Sequence, residues 1–204
     1  PSINSRAAII YDRTSGTILF GKNENEKRKM ASTTKIMTAI VVLENSNLDD
    51  IVTVSSKAAG TGGSRLGLKT NDKISVRDLL YGLMLCSGND ASIALAELIG
   101  GSVENFATLM NQKALDLGLN NTHFVSPHGL DDDNHYTTAY DLYLIADYAM
   151  KNEFFRSLVA ETEYTLPATE KYPAKDRILK TTNELLNENS RKYYYKNAIG
   201  IKTG

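Results

Sequence analysis

Strand-like runs at both ends of the chain, around a helical middle, predict one α+β domain whose terminal strands share an antiparallel sheet. The chain has 204 residues, 42% of them hydrophobic and 23% charged. A chain of this size buries on the order of 70% of its unfolded surface, so it folds without disulfide or metal staples. No repeat, low-complexity tract or linker divides it, and residues 1–204 read as one domain. Lys+Arg 23 against Asp+Glu 24 leaves a net charge of -1, which argues against a nucleic-acid binder. The single cysteine, Cys86, excludes an intramolecular disulfide and any cysteine-based zinc site. No run of 18 apolar residues occurs, so no segment reads as a membrane span. The start at Pro1 lacks signal-like character, and any targeting peptide is expected to have been removed.

The elements follow in order. Ala7–Tyr11 and Thr17–Phe20 are two apolar, β-branched runs around Asp12–Gly16, the pattern of a β-hairpin. After the polar stretch Lys22–Lys29, Ile36, Ala39, Ile40 and Leu43 recur at helical spacing, so a buried helix starts near Ser32 or Thr33. Ser75-Val76-Arg77-Asp78 fits a capping box before the apolar run Leu79–Leu85. That helix should stop at Ser87-Gly88, and another should run from Asn89 to Ile99. A further helix spans Val103–Leu117 and ends on Gly118, a left-handed cap. Thr138-Ala139-Tyr140-Asp141 is a second capping box, opening a helix through Met150. Strand character returns at Tyr164–Leu166, Ile178-Leu179, Tyr193–Tyr195 and Ala198–Ile201.

Three short patterns could carry chemistry. In Ser32-Thr33-Thr34-Lys35 the helical spacing sets the Lys35 amine beside the Ser32 hydroxyl, which is a poor nucleophile until a base takes its proton. The helix N-terminus adds a partial positive charge that favours a developing oxyanion. Taken alone, the pattern reads first as a capping serine followed by a solvated lysine. Ser87-Gly88-Asn89 sets a second hydroxyl and an amide on a tight turn, where they could relay a proton and hold a substrate amide. The same residues also make an ordinary helix stop and start. Lys202-Thr203-Gly204, after an apolar strand, offers positive charge, a hydroxyl donor and a glycine that admits another backbone.

The order Ser-x-x-Lys, Ser-x-Asn, Lys-Thr-Gly, with separations of 55 and 115 residues, resembles the penicillin-binding and serine β-lactamase superfamily. Longer strings narrow the resemblance to the low-molecular-mass D-alanyl-D-alanine carboxypeptidases. They are Ala31–Thr38, Ser75–Ala91, Thr122–Leu130 and His135–Asp141, and the likeness runs from about Ala7 to Gly204. It implies a β-lactamase/transpeptidase-like α+β fold and two-step acyl transfer on the stem peptide of peptidoglycan. Ser32 would be the nucleophile and Lys35 its general base, kept neutral by burial and by the nearby Lys202. Ser87 would pass the proton to the leaving D-alanine, and Asn89 would bind the substrate amide. Lys202, Thr203 and Gly204 would seat the substrate's carboxyl end. The Ser32 N–H would supply half of an oxyanion hole, where removing one donor costs about 3–4 kcal/mol. β-Lactams would acylate Ser32 and remain attached.

The resemblance also implies no cofactor, no metal and a site of action on the outer side of the bacterial cytoplasmic membrane. Family members continue the sheet beyond the Lys-Thr-Gly glycine, and many add a C-terminal membrane anchor. The sheet is therefore expected to be incomplete in this sequence, with peripheral membrane contact only through a segment beyond Gly204. Three other readings compete. A class A β-lactamase needs an E-x-x-x-N element, and Glu184-Leu185-Leu186-Asn187 has the wrong spacing. A D,D-transpeptidase differs only in its acceptor, and a β-lactam sensor would acylate once and stall.

The remaining candidates read as structural. His123, His128 and His135 lack an H-E-x-x-H arrangement, which argues against zinc. Asp141 and Asp147 suit a cap and a solvent-facing position. Cys86 follows Met84-Leu85 and reads as a small buried hydrophobe. Arg65 could flank the substrate groove or be solvated. Asn120-Asn121-Thr122 has only the form of a glycosylation acceptor, and Tyr193–Tyr195 is expected to pack in a strand.

Overall fold

A computed structural model describes residues 3–172 and 177–204. Strands β1 (Ala8–Asp12) and β2 (Thr17–Lys22) form the expected antiparallel hairpin. Its turn closes where Gly16, at φ +70°, donates to Asp12 O at 2.9 Å. A short 3-10 turn, Ala31–Thr34, leads into helix α1 (Lys35–Asn45). Every residue of α1 from Lys35 to Val42 is buried, because the helix runs through the core and packs on α3, α4, α5 and α6.

Strand β3 (Ile51–Thr53) pairs with β4 (Lys73–Ser75), and helix α2 (Ser56–Gly60) lies between them in sequence. Helix α3 (Val76–Met84) opens at Ser75, the N-cap of the expected capping box, though Asp78 takes the Ser75 hydroxyl rather than its N–H. Ser75 Oγ accepts from Asp78 N at 3.1 Å and donates to Asp78 Oδ2 at 2.6 Å. Helix α4 (Asn89–Gly100) begins directly after the Ser87-Gly88 turn. Helix α5 (Val103–Asp116) ends before Gly118, whose φ of +71° is the left-handed cap read from the sequence. Helix α6 (Ala139–Ala149) starts at Thr138, which accepts from Asp141 N at 2.9 Å. That capping box is only half made. Asp141 turns away and accepts from Asn121 N and from Thr122 Oγ1, tying the preceding loop to the helix. Helix α7 (Glu153–Ala160) leads to β5 (Glu163–Leu166), antiparallel to β6 (Arg177–Lys180).

Three expectations need correction. Among the described residues the strands form three separate two-stranded sheets, so the N-terminal and C-terminal strands do not join. Ala198–Ile201 runs without a ladder partner, and an apolar strand becomes a strand only when another backbone takes its hydrogen bonds. Tyr193–Tyr195 is not a strand either. It forms turns through hydrogen bonds to Ser190 O and Leu185 O, and its three rings are exposed rather than packed. Among the described residues no single helix is long and apolar enough to cross a membrane.

Candidate active site

The first pattern sits on a strained turn. Ala31 has φ +47°, a left-handed conformation that an L residue adopts only when its surroundings hold it. Thr34 Oγ1 donates to Ala31 O at 2.7 Å and is itself 2.7 Å from His135 Nε2. His135 Nδ1 accepts from Val125 N at 3.1 Å, so the ring proton sits on Nε2 and points at Thr34. Gly129, at φ +84°, lies so close that a Cβ there would collide with Ala31 O. Ser32 follows on this turn, at the N-terminal end of α1.

Lys35 is fully buried, which removes the solvated-lysine reading. Its Nζ donates to Ser32 Oγ at 3.0 Å, to Asn89 Oδ1 at 2.8 Å and to His128 O at 3.0 Å. Burial first, and the like charge of Lys202 second, push its pKa down to about 7.

Ser87 occupies the turn between α3 and α4 with φ +59°. Its Oγ is buried and has no hydrogen-bond partner among the described residues. Asn89, on the first turn of α4, reaches two ways: Oδ1 to Lys35 and Nδ2 to Gly62 O at 2.8 Å. Beside it, Asp90 is wholly buried and accepts from the backbone N–H groups of Leu66, Gly67, Leu68 and Ala91 at 2.7–3.0 Å. Four donors and the N-terminal end of α4 satisfy this carboxylate. The bonds pin the 62–68 loop over the site. Gly63 must lack a side chain there, since a Cβ would stand 2.6 Å from Asn89 Nδ2. A cavity of about 360 Å³ opens between Ser32, Gly63, Asn89, His128 and Gly129.

The third pattern arrives beside the other two. Lys202 is largely buried, which pushes its pKa down to about 8, and its Nζ donates to Thr203 O at 2.8 Å. Thr203 Oγ1 lies 2.7 Å from Thr182 Oγ1. Thr182 N in turn donates to Leu85 O at 3.1 Å, two residues before Ser87. Gly204 rests on the Ser32 turn, where a Cβ would stand 3.3 Å from Met30 O. All seven residues singled out in the sequence therefore belong to one region of the fold.

Four contributors stand outside the three short patterns. Asp90, the His128 carbonyl, His135 and Thr182 act through partners 21 to 101 residues away. Of these, only Asp90 has a local cue, an acid in the first turn of a helix.

Each histidine has at least one ring nitrogen engaged by a protein partner. His123 Nδ1 meets Asn134 O at 2.6 Å, and His128 Nδ1 accepts from Leu130 N at 3.1 Å. Burial holds His128 and His135 at about 4, so both rings are neutral at ordinary pH. Among the described residues no group of three or more His, Cys, Asp or Glu side chains could hold a metal ion. Cys86 is half-buried rather than buried; desolvation raises its thiol to about 11, and its Sγ donates to Gly82 O at 3.0 Å. Arg65 turns to Ala59 O and does not line the cavity.

The family model described as D-alanyl-D-alanine carboxypeptidase, peptidase family S11, matches residues 1–204. The chain belongs to this family. It is 36% identical over 208 residues to the D-alanyl-D-alanine carboxypeptidase DacF of Bacillus subtilis, covering 98% of this chain and 50% of that protein. It is 40% identical over 216 residues to the D-alanyl-D-alanine carboxypeptidase of Streptomyces sp. K15, covering 100% of this chain and 73% of the relative. The chain thus spans about half the length of several curated relatives that it matches. The crystal structure of the Streptomyces K15 DD-transpeptidase superposes with a TM-score of 0.89 at 40% identity, over 100% of this chain and 81% of that one. Penicillin-binding protein 5 of Haemophilus influenzae gives a TM-score of 0.81 at 34% identity, over 91% of this chain and 54% of the other. The fold is that of the penicillin-binding D,D-peptidases.

Proposed function

We propose that residues 1–204 form the acyl-transfer domain of a serine D,D-carboxypeptidase that removes the terminal D-alanine from peptidoglycan stem peptides. The observation that carries this reading is the set of partners around the Lys35 amine. Asn89 Oδ1 and His128 O can only accept hydrogen bonds. Once Lys35 loses a proton, its two remaining N–H groups stay on those oxygens. The lone pair then faces Ser32 Oγ, 3.0 Å away and the one partner able to donate. A pKa of about 7 keeps a substantial neutral fraction available for this task.

In the first step Ser32 Oγ attacks the carbonyl carbon of the penultimate D-alanine while its proton passes to Lys35. Ser87, with an uncommitted hydroxyl, carries a proton to the leaving nitrogen as the C–N bond breaks and D-alanine departs. Asn89 binds the peptide amide, and the Ser32 N–H, at a helix N-terminus, faces the developing oxyanion. Lys202, Thr203 and Gly204 seat the terminal carboxylate. Water then attacks the Ser32 ester, releasing the shortened peptide as a carboxylate. β-Lactams enter the same first step and acylate Ser32. This reading implies work on the outer side of the bacterial cytoplasmic membrane.

The test is intact-mass spectrometry of the full-length protein after benzylpenicillin, with a D-alanine release assay on a model peptide. One penicilloyl adduct, absent in Ser32→Ala, together with released D-alanine is the expected result. No adduct on the full-length protein overturns the reading. A second reading, transpeptidase, is favoured by the likeness to the Streptomyces K15 DD-transpeptidase. Preferential transfer of the acyl group to an added amino-acid acceptor over water would select it.

A further inference from the structure

Thr182 belongs to none of the three patterns, yet it ties two of them together. Its backbone N–H donates to Leu85 O at 3.1 Å, next to the Ser87 turn, and its hydroxyl lies 2.7 Å from that of Thr203. It lies two residues beyond the end of β6, and the intervening Thr181 N donates to Thr162 O at 2.8 Å, which fixes the approach to it. Two hydroxyls at this distance share one proton between them, and the other proton belongs to whichever oxygen accepts. A carboxylate in front of Thr203 needs that free proton on Thr203. The pair then has one polarity: Thr182 donates to Thr203, and Thr203 donates to the anion. A hydroxyl that accepts one hydrogen bond is also a stronger donor in the next.

We propose that Thr182 is a positioning residue that orients the Thr203 hydroxyl toward the substrate's C-terminal carboxylate and so sharpens selection for a free carboxyl end. The proposal rests on the D,D-peptidase reading, because it takes the anion to be that carboxylate. Lys202 supplies charge without direction, since its ammonium is a point charge on a flexible stem. The hydroxyl pair supplies the direction.

The experiment compares acylation of the full-length protein by benzylpenicillin and by its methyl ester, which lacks the anion. The wild type should prefer the acid. Thr182→Val, which keeps the shape and removes the hydroxyl, should cut the acid-over-ester ratio about tenfold, the worth of one directed hydrogen bond. Thr182→Ser, which restores the hydroxyl, should return the ratio to the wild-type value. An unchanged ratio in Thr182→Val overturns the proposal, as does an equal slowing of acid and ester, which would mark Thr182 as merely structural. A parallel arm titrates a D-alanyl-D-alanine peptide into Ser32→Ala with and without Thr182→Val, and reads binding without chemistry. If Ser32 is never acylated, the D,D-peptidase reading fails by itself. Weaker peptide binding with Thr182→Val would then still uphold the carboxylate role, and equal binding would overturn it.

Discussion

Lys35 and Lys202 approach one site from opposite ends of the chain, and they are held in contrasting ways. Lys35 has no exposure, and three acceptors from three segments take its three protons. Lys202 sits outside any strand ladder among the described residues and donates to the carbonyl of its own neighbour. Burial lowers both amines, to about 7 and about 8, so desolvation alone does not separate them. Their partners do. An amine that moves a proton gains from being fixed, because transfer demands geometry. An amine that meets an anion gains from keeping donors free to turn toward it.

The bluntest way to break this contrast is Lys35→Met, which removes the base and leaves Asn89 Oδ1 and His128 O without their donor. Acylation by benzylpenicillin should slow on the order of 10³-fold, as loss of general base catalysis predicts. Stopped-flow or mass-resolved kinetics reads it. The pH profile sharpens the contrast next. Lys35 must be neutral and Lys202 charged, so acylation should rise as pH climbs through about 7 and fall above about 8. Two units below the lower value the rate should be about a hundredfold down.

Thr34→Val tests the scaffold under Lys35 rather than its charge. The exchange leaves Ala31 O and the His135 N–H without their hydroxyl, and one buried unpaired group costs about 1–3 kcal/mol. Denaturant unfolding should show a loss of about 2 kcal/mol, with slower acylation in the folded fraction. The smallest effect is a displacement of the pH profile, separate from the slowing that losing a carboxylate-seating lysine itself brings. Lys202→Ala removes a like charge that lowers Lys35, so the acid limb of the pH profile should move to higher pH. An unmoved limb would mean that the two amines do not sense each other.

Much of this site was legible because its chemistry follows local spacing. Ser32 and Lys35 are one helical turn apart, Ser87 and Asn89 flank one turn, and Ser75 caps α3 as its box pattern requires. What stayed hidden depends on contacts that no window spans. The left-handed Ala31 is held by His135, more than a hundred residues away, and no propensity marks an alanine for φ +47°. Asp90 looks like a helix-start acid, yet its role is to hold a loop 22 to 24 residues earlier in the chain. Tyr193–Tyr195 has strand propensity, but propensity reports a fit to a pleated, half-buried surface, and here no such surface meets it.

The two histidines beside the nucleophile turn carry a further consequence. Imidazole is the usual sensor of mild acidity, but the rings of His128 and His135 are spent as neutral acceptors and stay uncharged down to about 4. The thiol of Cys86 stays silent up to about 11. Across the intervening range the site answers acidity through its amines. On the proposed mechanism an acidifying environment would therefore quench the chemistry by adding a single proton to Lys35, and restoring neutrality would return it.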